Sequence, residues 1–231
     1  MENMDKQKTA LVLIDMQKES QFGIDRLESA TNNAASLLRA FRHAGIPVYF
    51  TRHINRGDAS GLSDKEPLDH NGEPVFYSSY KDNHEVLDAL KPEPDEPVVD
   101  KFRWSSFFQT TLHDQLQRDG IENLVIGGFV TDGCLMTSVF DAYFYDYNIN
   151  LVEDMCGASN EGAHMSAVLT MCNWIYNMSV FRTEEVLNWV EGRPYEAWHA
   201  AGPDTCQFTP ETLRETYNRL IESTKRGALN K

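Results

Sequence analysis

The sequence lacks many features that would narrow its function quickly. Its four cysteines, Cys134, Cys156, Cys172 and Cys206, form no CxxC pair and show no metal-ligand spacing. No apolar run approaches the length of a membrane span. The opening Met1-Glu2-Asn3-Met4-Asp5 is polar and acidic, without the apolar stretch of an export signal, so reduced thiols and a cytoplasmic location are expected. Positive charge is scarce: 21 Lys and Arg stand against 35 Asp and Glu, for a net charge of −14. Such a surface repels polyanions, so neither nucleic acid nor membrane is expected as a partner. An anionic substrate would need a local cationic site. There is no internal repeat, low-complexity tract or Gly-rich phosphate loop.

What remains is an ordinary globular composition, 41% hydrophobic and 24% charged over 231 residues. That length supports one core without disulfide or metal staples. Thr9 to Ile14 is apolar on both faces, as a central parallel strand is, and ends on Asp15-Met16-Gln17. Leu27 to Ala44 reads as an amphipathic helix stopped by Gly45, and Ile46 to Thr51 as a second strand. A long irregular segment follows, from Arg52-His53 to about Glu96, with a short helix over His84 to Leu90. Val98 to Lys101 is a third strand. Ser105 or Ser106 is placed to cap a helix over Phe107 to Arg118. Later strands are expected at Leu124 to Ile126, Ile149 to Asp154 and Ser179 to Phe181, with helices at Ala163 to Met178 and, capped by Thr183, at Glu184 to Val190. Alternating strands and helices imply a doubly wound, mostly parallel six-stranded sheet with helices on both faces, a three-layer α/β/α domain over residues 1–192. Residues 193–231 read as a loop and a helix, Pro210 to Ser223 with Thr209 as N-cap, forming an appendage and not an independent domain. Its apolar Trp198, Phe208, Leu213, Tyr217 and Leu220 must cover some surface, on this subunit or on a neighbour's.

The stretch Asn123 to Asp141 organises the chain. A buried strand breaks at Gly127-Gly128, passes Phe129-Val130-Thr131-Asp132-Gly133 and reaches Cys134, after which Leu135, Val139, Ala142 and Tyr143 recur at helical spacing. Cys134 therefore stands at a helix start, where unpaired N–H groups and the dipole favour negative charge. A thiolate there is expected to have a lowered pKa, and the same N–H groups can hold an oxyanion. A buried structural cysteine is the other reading. Asp15 and Lys101 each end a strand; in a parallel sheet both would meet Cys134 at one edge.

Together, Leu11 to Gln17, Lys101 with Trp104-Ser105-Ser106-Phe107, and Gly127 to Cys134 resemble the three signatures of the isochorismatase-like cysteine hydrolases. Asp141-Ala142-Tyr143, Glu153-Asp154 and Thr183 to Leu187 match accompanying elements, and the resemblance covers roughly residues 7 to 190. It implies an Asp15–Lys101–Cys134 triad: Asp15 the general base, Lys101 keeping it ionised, Cys134 the nucleophile that forms a thioester. It also implies a cis peptide between Phe129 and Val130, with the Val130 and Cys134 N–H groups as oxyanion donors. The nicotinamidase branch holds a metal through an Asp-x-His motif, but here Thr51-Arg52-His53 has no such Asp, so no metal and no other cofactor is expected. Gln17, Arg52, Arg103 and Trp104 are the expected substrate-binding residues, the two arginines being either carboxylate clamps or surface residues. The expected activity is cleavage of a C–N bond in a small amide, ureido or carbamoyl compound. The alternatives are vinyl-ether hydrolysis, as in true isochorismatases, or a silent binding module. The family's habit of forming dimers and tetramers makes a homo-oligomer the expected assembly, with residues 193–231 at the contact.

Overall fold

The computed structural model describes residues 4–225. Its strands are β1 Thr9–Ile14, β2 Val48–His53, β3 Val98–Lys101, β4 Asn123–Gly128, β5 Asn148–Val152, β6 Met178–Phe181 and β7 Trp198–His199. They form one sheet in the order β3-β2-β1-β4-β5-β6-β7. All pairings are parallel except the last, where β7 runs antiparallel to β6. The helices are α1 Leu27–Ala44, α2 Leu112–Arg118, α3 Met136–Phe144, α4 Glu161–Trp174, α5 Thr183–Val190 and α6 Leu213–Glu222.

Strand alternation builds the two outer layers. Ala10, Val12 and Ile14 of β1 join Leu124 and Ile126 of β4 in a core with residues of α2, α3, α4 and α6. Leu11, Leu13 and Val125 point the other way, into a second core with α1 and α5. Successive strand side chains face opposite sides, so a strand buried on both faces must be apolar throughout, as β1 is. The strand order reverses between β1 and β4. In an open parallel sheet the carboxyl ends of such a pair flank the ligand crevice.

The sheet has seven strands where six were expected. The seventh comes from the C-terminal segment, and α6 packs on α4 with Tyr217, Leu220 and Ile221 buried in the first core. Phe208, Leu213 and Trp198 pack against the same core. The segment thus covers part of its own subunit: Tyr217, Leu220 and Ile221 are buried, while Trp198, Phe208 and Leu213 stay half-buried.

Several element limits also shift. β2 continues to His53, because Arg52 and His53 pair in register with Asp100 and Lys101. Residues 105–111 do not join α2: Ser105 bonds Asp141 and the Ser106 N–H bonds Ser138, fastening this stretch to α3 instead. Asn160 caps α4 through the Ala163 N–H, earlier than expected, and the helix stops at Trp174. The helix expected over His84 to Leu90 is replaced by two 3-10 turns, Asp82–His84 and Asp88–Leu90. Thr183 lies inside α5, its N–H and hydroxyl both donating to Asp154 Oδ1 at 2.8 Å. Among the described residues no helix is long and apolar enough to cross a membrane.

Candidate active site

Asp15 follows β1 with a left-handed backbone, φ 47°. The residue before it, Ile14, pairs with Gly128, φ 134°, where a Cβ would stand 2.1 Å from the Ile14 carbonyl oxygen. Only glycine lets the end of β4 lie this close to β1. The Phe129 N–H then donates to that same carbonyl at 2.8 Å. β3 ends on Lys101, which is completely buried, and its Nζ lies 2.6 Å from Asp15 Oδ2. The other Asp15 oxygen accepts from the Thr51 hydroxyl at 2.7 Å. Lys101 also donates to the Arg103 carbonyl at 2.9 Å and faces His53 Nδ1 at 3.4 Å.

Cys134 sits in a π-helical turn, Thr131–Leu135, that runs directly into α3. Its sulfur, an Asp15 carboxylate oxygen and a His53 ring nitrogen lie within 4.8 Å of one another. The Phe129–Val130 peptide is cis, and the Val130 N–H donates to no backbone carbonyl among the described residues. The backbone around Cys134 is held by Ser138, whose hydroxyl donates to the Cys134 carbonyl at 2.6 Å.

The expectation of a thiolate stabilised at rest is overturned. Burial pushes the Cys134 thiol well up from 9.0, the Asp15 charge pushes it further, and Lys101 only partly offsets them. Water exclusion and a neighbouring carboxylate outweigh the helix terminus. Burial alone would lower the Lys101 pKa, but the Asp15 carboxylate beside it outweighs that, and the net direction is up. The resting site therefore pairs a charged ammonium with a neutral thiol that needs a base.

The sequence reading considered His53 only as a metal ligand. Because β2 extends to it, His53 shares a face with Thr51 and reaches the site. Burial and then Lys101 hold its pKa down to about 4, opposed by Asp15, Glu66 and the Asn55 side chain. An ammonium at Nδ1 makes that nitrogen the acceptor, so the proton resides on Nε2. Nε2 is buried with no hydrogen-bond partner among the described residues. The imidazole lies between Tyr77, with ring centroids 4.9 Å apart, and Trp104, stacked at 5.3 Å. Tyr77, carried in by the long 54–97 segment, has no signal in the sequence that separates it from other loop aromatics.

The expected substrate-binding residues divide. Trp104 stands at the site, 56% exposed and stacked on His53. Arg103 is nearby through its carbonyl, while its guanidinium donates to the Gly61 and Phe102 carbonyls. Arg52 points to the opposite face of β2 and pairs with Asp100 at 2.8 Å and Glu85 at 2.7 Å. Gln17 is buried, its amide nitrogen on the His53 and His84 carbonyls and its oxygen on the His53 N–H. Its polar atoms are thus spent on holding the end of β2 in place.

Asp15, His53 and Cys134 could each offer a ligand atom to a metal. Lys101 already supplies the positive charge there, touching Asp15 at 2.6 Å and His53 at 3.4 Å. A divalent ion would meet that ammonium at contact distance in a water-poor site, so the residues do not fit one.

A sequence model of the isochorismatase domain matches residues 9–185. The chain is 31% identical over 180 residues to a probable inactive nicotinamidase of Arabidopsis thaliana, covering 71% of this chain and 88% of that one. It is 27% identical over 206 residues to the ureidoacrylate amidohydrolase RutB of Variovorax paradoxus, covering 75% and 79%. The crystal structure of a cysteine hydrolase from Pseudomonas syringae pv. phaseolicola superposes with a TM-score of 0.75 at 24% identity, over 83% of this chain and 96% of the other. With the domain model spanning most of the chain and the fold shared, the protein belongs to the isochorismatase family of hydrolases.

Proposed function

We propose that the protein is a cysteine amidohydrolase that cleaves a C–N bond of a small amide, ureido or carbamoyl compound without a metal. The observation that carries this reading is the buried contact of Asp15 with Lys101 beside the protonated thiol of Cys134. Asp15 takes the thiol proton as sulfur attacks the carbonyl carbon, and Lys101 balances the charge on the pair. The carbonyl oxygen becomes an oxyanion held by the Val130 and Cys134 N–H groups. Asp15 passes its proton to the departing nitrogen, leaving a thioester on Cys134. It then takes a proton from water, whose oxygen attacks the thioester, and the sulfur leaves with that proton as the acid is released.

The substrate follows from what the site lacks as well. With Arg52 on the opposite face of β2, committed to Asp100 and Glu85, and the Arg103 guanidinium on the Gly61 and Phe102 carbonyls, neither expected arginine is free to clamp a carboxylate here. A neutral substrate with a carbonyl to accept from His53 Nε2 and a planar group to lie against Trp104 suits it better. An amidohydrolase among the relatives supports C–N cleavage.

The test is ammonia release from a panel of small amides and ureido compounds, with wild type and Cys134→Ala side by side. Release by the wild type alone supports covalent catalysis. Hydrolysis of a vinyl ether that survives Cys134→Ala would replace this reading with the isochorismatase reaction. A Cys134 that no small electrophile traps would mark the chain as a binding module.

A further inference from the structure

The C-terminal helix reaches the nucleophile turn through side chains that the catalytic reading does not use. Glu153, just past β5, has no exposed surface. Its Oε1 accepts from Arg26 Nη1 at 2.8 Å and from the Tyr217 hydroxyl, and lies 2.9 Å from His164 Nε2. Its Oε2 accepts from Arg182 Nη1 at 2.8 Å. A carboxylate this deep in the protein is tolerable only because donors surround it. His164 Nε2 lies 2.9 Å from Glu153 and 2.7 Å from Arg26 Nη2, and its Nδ1 shares a hydrogen bond with the Thr131 hydroxyl at 2.9 Å. Thr131 is fully buried, and its N–H donates to the Gly157 carbonyl at 2.8 Å. The first residue of the nucleophile turn is thus held by both backbone and side chain.

Resting on the cysteine-hydrolase reading above, we propose that Tyr217 and His164 are positioning residues that, through Glu153 and Thr131, hold the Val130 and Cys134 N–H groups where the oxyanion forms. Thr131 directly follows Val130 and lies three residues before Cys134, so a rotation at Thr131 moves both donors. Carbonyl attack needs those donors, whereas displacement at a saturated carbon needs only the sulfur. Tyr217 lies on α6, beyond the residues 9–185 that match the family domain. The C-terminal segment thus acts as part of the catalytic scaffold as well as covering the core. Removing only the Tyr217 hydroxyl keeps the ring that packs in the core but frees one position on Glu153, and His164 is then held by fewer contacts.

The experiment uses two probes on the full chain. p-Nitrophenyl acetate acylates Cys134 through a tetrahedral oxyanion, and iodoacetamide alkylates it by displacement at carbon. Tyr217→Phe and Thr131→Val are expected to acylate about tenfold more slowly than wild type, less than the ~100-fold that outright removal of an oxyanion donor costs. Both are expected to alkylate within about twofold of wild type, and Thr131→Ser, which keeps the hydroxyl, to acylate at close to the wild-type rate. The double variant should be no slower than the slower single one, because the residues act as one unit. Wild-type acylation in Tyr217→Phe overturns the proposal, as does an equal fall with both probes, which would mean a general loosening around the sulfur. A wild-type protein that alkylates but is not acylated overturns the covalent-hydrolysis reading itself, and this proposal with it.

Discussion

Two buried ionic clusters lie at the carboxyl edge of the same sheet, and they are built on opposite plans. At Glu153, one carboxylate is met by two guanidinium groups, an imidazole and a phenol. At Asp15, one carboxylate is met by a single ammonium and a single hydroxyl, beside a thiol and an imidazole whose Nε2 has no partner among the described residues. The crowded carboxylate is held far below the usual range: burial pushes it up, but His164, Arg26 and Tyr217 outweigh that. It cannot act as a base. The Asp15 cluster keeps hydrogen-bonding capacity in reserve next to the Cys134 thiol, the condition for the proton transfer proposed above. On the proposed reading, saturation marks the structural cluster and incompleteness the reactive one.

The comparison is tested most severely by deleting the nucleophile. Cys134→Ala should lower amide hydrolysis by more than ~100-fold, as loss of a nucleophile normally does, while the thermal midpoint stays close to that of wild type. A variant that keeps more than about one hundredth of the rate would show that the incomplete cluster is not the reactive one. The matching change at the other cluster is Glu153→Gln. It leaves Arg26 without its counter-charge, Arg182 keeping Asp154 at 3.3 Å, and should destabilise the fold by about 3–5 kcal/mol in denaturant unfolding. A loss below about 1 kcal/mol would place Glu153 with weak surface pairs.

The two clusters should also divide the pH range. The Glu153 carboxyl is depressed below 4.5, so its stabilisation is fully present above that pH and is lost as pH falls below it. Glu153→Gln should flatten the acid limb of the stability curve. The Cys134 thiol is raised above 9.0, so its contribution is present below pH 9 and is lost as pH rises beyond it. The alkylation rate of Cys134 should therefore climb through pH 9 without levelling off. A plateau near neutrality would restore a resting thiolate.

The incomplete cluster was far more legible in the sequence than the saturated one. Asp15, Lys101 and Cys134 end or follow apolar strands, and parallel strands bring such positions to one edge, so the pattern led to the geometry. Glu153, His164 and Tyr217 lie on three elements whose packing no local spacing encodes, and their network appears only once α6 is docked on α4. A strand limit decided the rest. Ending β2 at Thr51 left His53 and Arg52 in a loop and hid their alternation. Once β2 runs to His53, one faces the site and the other faces Asp100. The helix terminus suggested a low thiol pKa because exposure was not foreseeable from one residue type. Arg52→Ala should accordingly change kcat/KM by less than about twofold, since a partly exposed pair is worth about 0–1 kcal/mol and touches nothing at the site. A tenfold rise in KM would return Arg52 to the substrate.

The smallest expected effect is none, and it bears directly on the incomplete cluster. Asp15, His53 and Cys134 have the ligand types of a metal site, and their atoms lie close enough to share an ion. What separates the two readings is Lys101, buried and in contact with Asp15 and His53. A zinc or manganese ion would have to displace an ammonium that has nowhere to go, and would also require the raised Cys134 thiol to ionise. Dialysis against a strong chelator should therefore leave amide hydrolysis and the thermal midpoint unchanged, and added zinc should inhibit if it acts at all. Activity that disappears on chelation and returns with zinc or manganese would mean that Lys101 swings out of the cluster. The positive charge opposite Asp15 would then belong to the ion.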